Sequence, residues 1–81
     1  MLFDHRQNII HERGIVRKRH TVDEYMITTI YSVQDTDQLL CASLRINSMK
    51  NGQTYILWYV FRPDTLTWQF NDSFGQEWEV V

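Results

Sequence analysis

The stretch Thr54-Tyr55-Ile56-Leu57-Trp58-Tyr59-Val60-Phe61-Arg62 decides the fold. It is dense in β-branched and aromatic residues, which suit a pleated, packed surface, and it predicts a strand. Tyr55, Leu57, Tyr59 and Phe61 fall on one face and Ile56, Trp58 and Val60 on the other. Both faces are apolar, so each needs a cover: closure of the sheet, a helix, or another protein.

The flanks confirm a hairpin on either side. Asn51-Gly52 precedes the strand, and both residues tolerate the positive φ of a type I′ turn. Arg62-Pro63-Asp64-Thr65 follows, with Pro63 supplying the fixed φ of a tight turn and no donor for a ladder. Leu66 to Phe70 then alternates apolar and polar, as a half-buried strand does. Asn71-Asp72-Ser73 and Gly75 predict another turn, and Glu77 to Val80 a last, short edge strand.

Upstream, Tyr25 to Val33 reads as a strand. Thr21-Val22-Asp23-Glu24 has capping-box spacing, but the β-branched residues that follow oppose a helix. Residues 36–50 fit either a strand or a helix. As a strand, Leu40, Ala42, Leu44 and Ile46 share one face. A turn at Gln34–Asp37 between two apolar runs favours that reading. At the N-terminus, Asp4 as N-cap, Gln7 at the third helical position and Gly14 as a terminating glycine predict a short helix, with Ile15 to His20 as the first strand. One bent strand over Asn8–Thr21, bulged at Gly14, is the alternative. The expected fold is mainly β, or α+β: a single domain over residues 1–81. It is a small antiparallel meander, curled sheet or barrel of about six strands with one short N-terminal helix.

Composition narrows the function classes. The chain has 81 residues, 14% aromatic content and one cysteine, so no internal disulfide can form. Cys41 lies among Leu39, Leu40, Ala42 and Leu44 and reads as a small core residue rather than a reactive thiol. The start Met1-Leu2-Phe3-Asp4-His5-Arg6 does not resemble an export signal, and the apolar run Tyr55–Phe61 is too short to span a bilayer as a helix. A cytoplasmic location is expected, and no membrane association.

The net charge of −2 is unevenly spread. Arg6, Arg13, Arg17, Lys18 and Arg19 outweigh Asp4 and Glu12 in the first 22 residues. Asp64, Asp72, Glu77 and Glu79 stand without a base after residue 62. Either the two ends lie together and neutralise, or their polarity steers a partner.

Four constellations are candidates for chemistry or binding. The aromatic strand offers Tyr55, Trp58 and Tyr59 as anchors of a protein interface, with Arg17, Arg19, Glu77 and Glu79 as charged rim. The segment Arg17-Lys18-Arg19-His20 beside aromatic strands is a weaker nucleic-acid signal, since alternation splits the patch and the chain is acidic overall. His5, His11 and His20 match no metal-ligand spacing. Glu77 and Glu79 share a strand face but lack an accompanying nucleophile, pocket or oxyanion donor. The expectation is a non-catalytic regulatory module without cofactor or metal, an adaptor or inhibitor that binds a larger protein, with a homodimer as a further use of the same surface. Nucleic-acid binding is the alternative.

Overall fold

The computed structural model describes residues 2–36 and 39–81, and the side chains among them except those of residues 32–36 and 39–41. It is mainly β, with eight strands: β1 (Leu2–Phe3), β2 (Ile9–Ile10), β3 (Ile15–Lys18), β4 (Tyr25–Thr36), β5 (Leu39–Ser48), β6 (Thr54–Arg62), β7 (Thr67–Asn71) and β8 (Trp78–Val80). Six of them form one antiparallel sheet in the order β7-β6-β5-β4-β3-β8, and β1 and β2 pair separately. The meander from β3 to β7 has each strand beside its chain neighbour. The last strand then crosses to the opposite edge and pairs with β3.

Alternation places the core. Across successive ladders, Val16 lies opposite Tyr25, Ile27 opposite Ile46, Leu44 opposite Leu57, and Tyr59 opposite Phe70. Residues directly opposite share a sheet face. Val16, Ile27, Leu44, Ile46, Leu57 and Phe70 are fully buried on that face. Each such side chain stabilises the fold by roughly 1.5–3 kcal/mol relative to an exposed one. The expected inward set of β5 is thereby seen at Ala42, Leu44 and Ile46, with Arg45 exposed on the other side. The reading of Cys41 lies outside the described side chains.

The sheet is curled but not closed. An isolated bridge between Asn71 and Glu77 joins the end of β7 to the approach of β8, so the two sheet edges meet only at that turn. The hairpin of β1 and β2 caps the outer edge of β8. Val81 N–H donates to the Ile15 carbonyl and Arg19 N–H to the Glu77 carbonyl, so the odd-numbered residues of this strand face β3. The polar groups of Val80 therefore point outward. Its N–H donates to Asp4 Oδ2 at 2.9 Å, and its carbonyl accepts from Arg6 Nη2. Leu2 and Ile10 of the hairpin are buried in the core.

Three sequence expectations are corrected. The N-terminal helix is not present, and neither is the single bent strand: the segment is a hairpin. Asp4 does accept from nearby backbone, at Arg6 N–H (2.9 Å) and Asn8 N–H (2.8 Å). However, Gln7 adopts φ 66° and reverses the chain, and the second carboxylate oxygen is taken by Val80. An aspartate that starts a helix and one that closes a turn make the same local bonds. Gly14 does not end a helix either; a Cβ there would come 2.9 Å from the His11 carbonyl oxygen. At Asn51-Gly52 only Gly52 is left-handed, at φ 72°, and its N–H reaches back to the Ser48 carbonyl, giving a wider loop than a type I′ turn. Finally, β4 runs on to Thr36, through most of the turn expected at Gln34–Asp37. Of residues 36–50, Thr36 ends β4, Leu39–Ser48 form strand β5, and 49–50 enter the turn after it.

Among the described residues there is no helix, and hence none long and apolar enough to cross a membrane.

Candidate functional site

A groove of about 510 Å³ lies at the edge of β6. Its existence follows from unequal strand lengths. β6 pairs with β5 from Thr54 to Tyr59, but with β7 only from Trp58 to Arg62. At Asn71 the chain leaves the sheet and turns through Asp72–Gln76. The first half of β6 is left with a neighbour on one side only.

Which backbone groups face that opening follows from ladder alternation. Ser48 N–H donates to the Gln53 carbonyl at 2.8 Å, which makes Ser48 and Gln53 a hydrogen-bonded pair. In an antiparallel ladder bonded and non-bonded pairs alternate. In this register Tyr55 and Leu57 therefore bond Ile46 and Leu44, while Thr54 and Ile56 turn their N–H and C=O groups away from β5, toward the groove.

Aromatic rings line the space. Tyr25 stands edge-on to both Tyr55, at 5.6 Å between ring centres, and Trp78, at 5.0 Å. Trp78 is buried and its indole N–H donates to Asp72 Oδ2 at 3.0 Å. Asp72 Oδ1 in turn holds the N–H groups of Phe74 and Gln76, so one carboxylate shapes the whole turn. That turn displays Phe74 with 85% of its surface exposed. Tyr55, Ile56 and Trp58 are also exposed at the groove. Burial raises the Tyr25 hydroxyl above its ordinary value, and the nearby Tyr55 and Asp23 push it further. Lys18, Asp23 and Asp72 supply the charges of the lining.

Apart from Lys18, the charged residues singled out from sequence lie elsewhere. Arg17 is opposite Glu79 in the β3–β8 ladder, and its Nε donates to Glu79 Oε2 at 2.7 Å. Arg19 Nη1 donates to Glu77 Oε2 at 2.9 Å. His5 sits between the two carboxylates at 3.7 and 3.6 Å. The hydrogen bond from Arg17 holds the Glu79 carboxyl below its usual range. Burial opposes this, and the charges of Arg6, Arg17 and His5 add to the lowering. The basic and acidic ends of the chain thus lie side by side and pair with each other. Lys18 points to the other face and lines the groove, so the cationic run is split as alternation requires. His20 is exposed in the turn after β3, at φ 69°.

Of the aromatic anchors, Tyr55 and Trp58 are brought to the groove. Tyr59 is not: it is 7% exposed, belongs to the core and stacks on Trp68 at 5.2 Å. Sequence reasoning missed Phe74, Tyr25 and Trp78 as groove residues. An aromatic inside a turn, as Phe74 is in Ser73-Phe74-Gly75, was the one local signal. No cluster of His, Cys, Asp and Glu suited to a metal ion occurs among the described residues. In comparisons with known protein families, curated proteins and solved structures, the chain matches none.

Proposed function

We propose that the chain is a small non-catalytic protein-binding module, an adaptor, inhibitor or regulatory subunit that takes an apolar part of a larger protein into the aromatic groove. One observation carries the reading. Tyr55, Ile56, Trp58 and Phe74 are all exposed around a single concavity, in a chain too small to leave apolar surface idle without cost. Aromatic side chains gathered at a pocket are the usual anchors of protein interfaces.

Nucleic-acid binding is supported less well. Arg17 and Arg19 are each occupied by a carboxylate, and the groove holds Asp23 and Asp72 against Lys18 alone. Such a site repels phosphate more than it attracts it.

The test is retention of proteins from source-cell lysate on the tagged chain, with and without nuclease, beside Trp58→Ala and Phe74→Ala. A protein retained after nuclease and lost from both variants supports the reading. Retention unchanged by both variants removes it. Retention abolished by nuclease or moderate salt transfers the assignment to Arg17, Lys18 and Arg19.

A further inference from the structure

We infer that the groove is a strand-addition site: an extended, basic-flanked peptide segment of a partner protein pairs with the open edge of β6 at Thr54 and Ile56 and lays alternate apolar side chains against the aromatic rings. This rests on the protein-binding reading and specifies its mode.

Two features of the groove call for this occupant. The first is its backbone. Thr54 and Ile56 turn their N–H and C=O groups to the groove, and among the described residues none of them has a protein partner there. A row of main-chain donors and acceptors at strand spacing is complementary to another strand and to little else. The contrast with β8 is informative. Its outward N–H and C=O at Val80 are satisfied by Asp4 and Arg6, so the fold caps the edge of β8 there and leaves the first half of β6 open. The second is the lining. In an extended peptide every second side chain faces the same way, and here that direction leads onto Tyr25, Tyr55 and Trp78.

The groove's walls select a single segment rather than a whole sheet edge. Thr21 and Asp23 of the β3–β4 connection and the Asp72–Phe74 turn line the same groove as Thr54 and Ile56. Charge selects further: Asp23 and Asp72 outnumber Lys18, and the chain carries −2 overall, so a cationic residue beside the apolar ones is favoured.

The probe is a blocked peptide, Lys-Val-Thr-Trp-Thr-Val-Lys, titrated into the isotope-labelled full chain. Its two N-methylated twins carry methyl groups on alternate amides, one for each pairing frame. The expected result is slowed hydrogen exchange at the Thr54 and Ile56 amides. One twin, methylated on the pairing side, should also bind about tenfold or more weakly, from the loss of two main-chain bonds. Equal binding by the peptide and both twins overturns strand addition and leaves docking by side chains alone. No binding, or no change at Thr54 and Ile56, overturns it as well. Self-association that protects these two amides overturns the choice of occupant in favour of a second copy. Ile56→Pro provides an independent arm in the lysate experiment. Retention of a partner by the wild-type chain and not by Ile56→Pro supports strand addition. Retention by both overturns it while the protein-binding reading stands, and retention by neither removes that reading itself.

Discussion

The carboxylate of Asp4 accepts a hydrogen bond from the backbone N–H of Val80 at 2.9 Å, across a sequence separation of 76 residues. The same carboxylate holds the N–H groups of Arg6 and Asn8. A fully buried side chain thus closes the N-terminal turn and caps the edge of β8 in one place. Asp4→Ala should lower stability by about 2–3 kcal/mol, because it strands buried donors as well as removing their acceptor. Urea unfolding of the two proteins measures this. Burial raises the Asp4 carboxyl, but the bonds from Val80, Asn8 and Arg6 and from the Asn8 amide outweigh it, so the folded value lies below the ordinary 3.8. The stabilisation is therefore complete above about pH 4 and is lost as pH falls through the folded value. Asp4→Asn should flatten the acid limb of the stability profile. An unchanged acid limb would show that other carboxylates carry it.

Arg17 and Glu79 form the tightest ion pair of the cluster on β3 and β8. Arg17 is partly exposed and Glu79 is buried. A double-mutant cycle with Arg17→Ala and Glu79→Ala should return a coupling of about 1 kcal/mol at low salt, since one partner remains solvated. Raising ionic strength from about 0.1 to 1 M should shrink it. A coupling indifferent to salt would mean that Arg17 acts by packing its stem.

Two adjacent prolines distinguish the two sides of β6. The Leu57 N–H points into the β5 ladder and its side chain is fully buried, so Leu57→Pro should cost about 3 kcal/mol or more and leave little folded protein at room temperature. The Ile56 N–H points into the groove, where proline is tolerated on an edge strand. Ile56→Pro should keep a folded amide spectrum and lose less than half as much stability. Equal loss in both would place Ile56 inside a ladder and contradict the open edge.

Gly14 is constrained by space. A Cβ there would meet the His11 carbonyl oxygen at 2.9 Å, while nothing lies within 4 Å of one at Gly52 or Gly75. Gly14→Ala should destabilise by roughly 1–3 kcal/mol through a forced shift of the His11–Gly14 turn. That turn is closed by the Gly14 N–H to the His11 carbonyl. Thermal melting should show a drop of several degrees, and no drop would mean the turn relaxes freely.

Much of the fold was legible in the sequence because side-chain alternation is local. The density of β-branched and aromatic residues marks β6 at Thr54–Arg62 to the residue, and alternation gives the inward set Ala42, Leu44, Ile46 of β5. The turn at Pro63 and the edge position of β8 were readable from residue type. What alternation cannot state is which strand lies beside which.

That choice belongs to the tertiary structure, and it decided everything in which this protein differs from its sequence pattern. The docking of β8 on β3 brings Glu77 and Glu79 to Arg19 and Arg17 and converts a charge split along the chain into an ion-pair cluster. The same strand offers Val80 to Asp4, so the residues expected to start a helix close a hairpin instead. The early departure of β7 at Asn71 leaves Thr54 and Ile56 without a second neighbour and opens the groove between Tyr55 and Phe74. Residue types set what each segment can bury. Contacts across long separations, formed only when the sheet curls, set which hydrogen bonds and charges are satisfied and which remain open.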